Sequence, residues 1–223
     1  MSSMDNKTDI EHCEIDVAAV PNSHDHASVG AHGKLPFNPA PIGFGAFALS
    51  SFVLGLYNSG LITDLPQVAV GVAFGYGAMG QFVCGICEII AGNVFAATTM
   101  LTFSGFFLTF GIMMIPSAGV FELMISQGGI EAVHKCMGLI QVGYAIAAFL
   151  FLLGTLRQPI LIRLVLLQVF LAFLTGGVGG LTGIANFNLA SGWISFTLAL
   201  TAWYLMCAML YTPETTFIKL PIF

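Results

Sequence analysis

Six apolar runs, each close to 20 residues long, dominate this chain from residue 42 onward. They cover 42–58, 68–91, 94–115, 133–156, 160–182 and 189–211. A helix needs about 20 predominantly apolar residues to cross a bilayer, and a barrel strand only about 10. The runs are too long and too continuous for strands. They are separated by "SGLITDLPQ", "GN", "PSAGVFELMISQGGIEA", "RQP" and "GIANFN". Each separator carries Gly, Pro, Asn or a charge, the residues that end helices. An all-α integral membrane protein with a six-transmembrane-helix bundle follows. The third separator is long enough for a short surface helix around residues 120–126.

Composition closes off the soluble alternatives. Charged residues make up 8 % of the 223 residues and hydrophobic ones 57 %, against about 25 % charged in soluble domains. No basic cluster exists, so nucleic acid is not an expected partner; the bilayer is. Residues 1–36 are polar and acidic and lack the apolar core of a secretory signal, so they are expected to be a disordered cytoplasmic tail. His24, His26 and His32 sit there without cysteine support, and Cys13 stands alone. Neither suggests a metal site. Residues 37–211 form the expected membrane domain, and 212–223 a short cytoplasmic tail. Lys7, Lys34, Arg157, Arg163 and Lys219 fall on one side, and Lys135 on the other. The positive-inside rule then puts both termini in the cytoplasm.

Several motifs are excluded by their setting. "GYGAMG" at 75–80 matches a dinucleotide fingerprint but lies inside a span instead of after a strand. "FGYG" at 74–77 echoes a potassium filter without room for the filter loop. Close helix packing is the expected use of these glycines, through the pairs Gly71 with Gly75, Gly176 with Gly180 and Gly179 with Gly183. No nucleophile–base–orienter set appears, and the spans are read as free of histidine, so neither an enzyme nor a metal or cofactor site is expected. No phosphate-binding loop for ATP appears either.

The polar residues inside the spans carry the functional reading. Phe47, Ser51, Leu54 and Asn58 form one stripe of the first span. Gln81, Cys84, Gly85 and Glu88 share one face of the second. Thr98, Thr102 and Thr109 lie near one face of the third, with Phe103 and Phe106 beside them. Gln141, Tyr144, Gln168, Thr175, Ser191 and Ser195 follow in the other spans. Polar stripes on most spans suggest a shared passage. Two readings of Glu88 stand: a group lining that passage and responding to protons, or a side chain that reaches headgroup water or caps the "GN" turn. At the start of the first span, Asn38 is placed to cap the helix, Pro39 to fix where it begins, and Pro41 to fill the first turn at no cost in hydrogen bonds. Gly43 leaves bare space beside it. Such a helix start favours an anion.

"NPAPIGF", Asn38 to Phe44 (Asn38, Pro39, Ala40, Pro41, Ile42, Gly43, Phe44), resembles the first-helix signature of the acetate–succinate permease family, also called the acetate uptake transporter or YaaH-type family. "GLYNSG" at 55–60 fits the same pattern. So does "GQFVCGICEIIAGNVFAATT" at 80–99, through Gln81, Gly85, Glu88, Gly92, Asn93 and Phe95, and so do "GTLR", "SGW" and the late "LP". The resemblance implies a six-helix protomer in a homohexamer, with a pathway through each protomer for acetate and related small carboxylates, sometimes with protons. It implies a constriction at Phe47, Phe103 and Val169. Phe103 stands where the family has Tyr, Val169 where it has Leu, and Ile184 where it has Asn. A plasma-membrane acetate channel or proton-coupled transporter is therefore expected. Ammonium or ammonia export, or a sensor or scaffold that fills no pathway, are the alternatives.

Overall fold

A computed structural model describes residues 37–63 and 65–222. The expected tail at 1–36, with its histidines and Cys13, lies outside the described residues. Six long helices follow one another: α1 (Ala40–Asn58), α2 (Pro66–Ile90), α3 (Val94–Met114), α4 (Val120–Gly154), α5 (Ile160–Thr182) and α6 (Ala185–Leu210). All six are long and apolar enough to cross a membrane. No strand occurs among the described residues. α1 packs chiefly on α6, α5 on α4 and α6, and α2 on α3 and α1.

In lipid there is little hydrophobic drive between helices, so close backbone approach does much of the holding. At the α1–α6 crossing, Gly55 faces the backbone of Gly192 and Phe196, and Gly192 faces Asn58 and Gly55. Gly138 of α4 likewise meets the backbone of Gly177 and Gly180. The pair Gly176 and Gly180 thus packs within the protomer, as expected. Gly71 and Gly75 do not: no atom lies within 4 Å of a methyl built on either. Gly183 packs on nothing and instead ends α5 in the left-handed conformation, φ 73°.

Local chemistry explains the helix ends. Asn38 Oδ1 accepts the Ala40 N–H at 3.1 Å, and the Pro39 carbonyl accepts the Ile42 N–H at 3.0 Å. The helix therefore starts two residues before the predicted Ile42, with Pro41 inside its first turn, where no N–H is needed. α2 is not a uniform helix. Residues Pro66–Ala69 form a tight 3₁₀ turn, and Ala73–Ala78 a wide π turn, before regular helix resumes at Met79–Ile90.

Two expectations about boundaries change. α6 begins at Ala185, so "ANFN" is helical and the last loop shrinks to Gly183 and Ile184. The surface helix expected around 120–126 runs straight into α4, broken only by a kink at Gly129, φ 70°. After α6 the chain turns at Thr212–Thr215 and doubles back, so that Tyr204 Oη donates to the Pro221 carbonyl at 3.0 Å.

α2 hands over to α3 through a tight set of bonds. Gly92 takes φ 76°. Its N–H reaches the Ile89 carbonyl and the Asn93 N–H the Glu88 carbonyl, both at 2.9 Å. This is the paired closure that a left-handed glycine allows. The Asn93 side chain then does two jobs. Its Oδ1 accepts the Ala96 N–H at 3.3 Å, capping α3, and its Nδ2 donates to Glu88 Oε2 at 2.8 Å. Asn93→Ala is expected to cost about 1–2 kcal/mol, the value of a lost cap, and more where the Glu88 carboxylate is left alone. Thermal unfolding in detergent measures it; an unchanged midpoint would show that the cap carries no weight.

Candidate functional site

A cavity of about 480 Å³ runs from mid-bundle to the face where α1 ends and α6 begins. Phe47, Ser51, Leu54 and Asn58 of α1 line it. They follow one another at steps of four, three and four residues, which keeps them on one helix face. Phe47 precedes Asn58 by 11 residues, so the cavity follows about 16 Å of helix at 1.5 Å per residue.

The opposite wall depends on glycine. Gly176, Gly179 and Gly180, at i, i+3 and i+4, leave one face of α5 without side chains. Gln141 of α4 and Ser191 of α6 close over Gly176, Asn188 of α6 lies over Gly179, and the His134 backbone of α4 lies against Gly180. Ser191 Oγ donates to the Ala172 carbonyl at 2.8 Å. The side chains of Asn58, Gln141, Asn188 and His134 line the cavity and have no hydrogen-bond partner among the described residues. Four unpaired polar groups around one space are what a polar solute needs. No Asp, Glu, Lys or Arg is among the described residues that line it.

The floor is aromatic. Phe47 and Phe107 line the cavity with Val169 and Phe173. Phe103 lies behind, its ring centroid 5.8 Å from that of Phe47 and 6.1 Å from that of Phe173. Phe47 is 6 %, Phe103 3 % and Val169 1 % exposed, so solvent does not pass this level. The three share one depth: Phe47 is seven residues after Ala40, Phe103 nine after Val94 and Val169 nine after Ile160. On α3 the phenylalanine face (Phe106, Phe107, Phe110) lines the cavity. Thr98 instead bonds its own helix, at the Val94 carbonyl, and Thr102 is half-buried outside the lining. Tyr144 packs on the Phe106 and Phe173 rings, and Gln168 pairs with Thr197.

Below the floor lies a second group. Gly43 gives close room to Met100 and Cys84. Gln81 is 1 % exposed, its Nε2 4.0 Å from Met100 Sδ and its Oε1 without a partner. Glu88 is buried one turn beyond Cys84, tied to Asn93. Asn38, Pro39, Ala40 and Pro41 form the helix start at this end. The structure thus gathers Phe47, Ser51, Asn58 and Val169 around one cavity and backs them with Phe103. It leaves Gly43, Gln81, Glu88 and Asn93 on the far side of the aromatic level.

The family model described as GPR1/FUN34/yaaH matches residues 29–223. The chain belongs to the GPR1/FUN34/yaaH family. Among relatives, it is 34 % identical over 195 residues to "Acetate permease A" of Emericella nidulans, covering 83 % of this chain and 65 % of that protein. It is 31 % identical over 183 residues to "Ammonia transport outward protein 2" of Saccharomyces cerevisiae, covering 81 % and 64 %. The chain thus spans just under two thirds of these relatives' length. Among solved structures, the "bacterial acetate channel SatP" superposes with a TM-score of 0.74 at 24 % identity, covering 85 % of this chain and 99 % of that one. The six-helix membrane fold of the family is therefore the fold of this multi-pass membrane protein.

Several lining residues lie outside the expected set, among them Asn188, Phe107, Phe173 and His134. The sequence reads as histidine-free in its spans, yet His134 stands one residue inside the fourth of them, beside Val133, and belongs to the cavity lining as an exposed residue. Its exposed neighbours Glu131 and Lys135, paired at 2.7 Å, mark it as an end-of-helix residue. The signal was its position one residue past the start of an apolar run.

Proposed function

We propose that this protein is a conduit for acetate and similar short carboxylates across the plasma membrane, not a catalyst. The carrying observation is the cavity: about 480 Å³, with unpaired amides in its walls, no acidic side chain in its described lining and an aromatic floor at Phe47. Amide N–H groups suit a carboxylate, and the missing acids spare it repulsion. The names acetate permease and acetate channel among the proteins it resembles support the same solute, while the yeast relative is named for ammonia. A hydrated anion meets a barrier at the Phe47–Phe103–Val169 level, because stripping its water is costly and an apolar ring excludes water. Both termini lie in the cytoplasm in this reading, so the cavity faces outward, and protomers assemble as a hexamer with a pathway in each. Gln81 and Gly43 continue the pathway below the floor, ending at the helix start Asn38–Pro41.

The test is uptake of labelled acetate into proteoliposomes of the purified protein, with competition by other carboxylates. Protein-dependent, competable uptake is expected. Absence of flux across pH would sink the proposal. Flux of ammonia or ammonium without acetate would instead favour the function named for the yeast relative. Glu88→Gln separates two roles of that carboxylate. If it exchanges protons during transport, the pH dependence of uptake flattens, which is the expected result. If it only holds Asn93, the pH profile stays as in the parent protein, because a Gln Oε1 still accepts that bond.

A further inference from the structure

We propose that the open end of the cavity is a carboxylate-binding station, in which Asn188 and Gln141 supply amide donors and His134 supplies a positive charge that acid on that side switches on. The proposal deepens the acetate reading and rests on it for its solute.

The geometry brings the three groups to one wall. Asn188 lies over Gly179, the His134 backbone sits against Gly180 and Gln141 lies over Gly176, so one bare face of α5 sets the two amides and the backbone that carries His134. Each side chain is without a hydrogen-bond partner among the described residues, and all three residues belong to the cavity lining, Gln141 half-buried and Asn188 and His134 exposed at the mouth. His134 is the one side chain in that described lining that can become cationic. Histidine is the side chain whose charge changes in the weakly acidic to neutral range. The neighbouring elements bring few competing charges. On its own helix, Glu131 is engaged by Lys135 at 2.7 Å, and both are exposed. The surface segment before Gly129 carries Glu122, α1 contributes the phenol of Tyr57, and the described outer ends of α5 and α6 carry no charge. Asp64 of the first loop lies outside the described residues. A protonated imidazole here meets no bound carboxylate among the described residues and is available to an incoming one.

The chemistry predicts a split between affinity and turnover. The floor at Phe47 sets the passage step, so a charge at the far end of the cavity acts on capture. One unit charge at contact distance in a wet, water-like setting changes affinity about fivefold. At about pH 5.5 roughly a sixth of acetate is the neutral acid and at about pH 7.5 almost none is, so KM is referred to the anion concentration and leakage into protein-free liposomes is subtracted.

The experiment measures acetate KM and Vmax in proteoliposomes at these two pH values, equal on both sides, for the parent protein, His134→Gln and His134→Lys. Acetate binding to the same proteins in detergent is measured by calorimetry. The parent KM is expected to be about fivefold lower in acid. His134→Gln loses that difference by raising KM in acid, and His134→Lys holds the low KM at both values. A parent KM that does not fall in acid, or a His134→Gln protein that keeps the parent's dependence, overturns the station while leaving acetate transport standing. If the parent moves no acetate, the transport reading fails, and calorimetry alone decides. Binding that strengthens in acid and needs His134 then upholds the station; absent or histidine-independent binding overturns it.

Discussion

Phe47→Trp is expected to lower acetate uptake at least tenfold while leaving the amount of folded protein near that of the parent. Phe47 is 6 % exposed and its ring already meets Phe103 at 5.8 Å and Phe107 at 6.0 Å. An indole has no unused space on the buried side and so must swing into the cavity floor. An indole filling the floor narrows the passage, and a barrier raised by about 1.4 kcal/mol slows it tenfold. Phe47→Ala works the other way, removing part of the apolar ring and speeding passage with poorer discrimination between carboxylates. Flux assays on both variants, read beside size-exclusion profiles, check the pair. Unchanged uptake in Phe47→Trp would move the constriction elsewhere, or favour a sensor that fills no pathway.

Gly192→Val is expected to be the most damaging single change to the fold. A methyl at Gly192 would meet Asn58 and Gly55 of α1, and the atoms involved are backbone, which cannot swing aside as a side chain does. The expected loss is about 3 kcal/mol or more, at the top of the overpacking range, with α1 pushed off α6. Gly143→Ala is the matched control, because nothing lies within 4 Å of a methyl there. It should be neutral or gain up to about 1 kcal/mol from the better helix propensity of alanine. Thermal unfolding of the two variants in detergent measures the contrast. Equal midpoints would mean that the α1–α6 crossing is not close-packed.

Helix number and order were legible because the bilayer demands long apolar runs and "GN", "RQP" and the other separators interrupt them. The resemblance carried by "NPAPIGF" and the 80–99 segment led to the family. Other features left no compositional mark. "ANFN" reads as loop because Asn favours turns, but α6 runs through it with all four residues exposed. The two glycine sets share one spacing, yet Gly176 and Gly180 are covered while Gly71 and Gly75 are bare. Spacing says that residues share a face and not what that face meets. Thr98 on α3 suggested a polar wall, but a hydroxyl in a helix readily bonds the carbonyl four residues back, and it does so here at 2.8 Å. The phenylalanines beside it took the cavity. Of the candidate site, the α1 stripe was readable in full, and His134 was not read at all.

The wide turn at Ala73–Ala78 acts as a one-residue insertion carried in three dimensions. It keeps the buried side of α2 continuous from Ala69 and Ala73 through Ala78 to Gln81, Cys84 and Glu88. Removing one residue from that turn would restore an ordinary helix and leave 79–90 in its present phase against α1, whereas winding the turn into ordinary helix with every residue kept would rotate 79–90 by about 100°. In that second case Cys87 would take the side now held by Glu88. When two members of the family differ by a single gap in this turn, their matching carboxylates can still occupy matching places, and it is an ungapped relative without the wide turn whose carboxylate moves. An alignment can keep every letter of "GQFVCGICEII" and still describe a differently aimed helix.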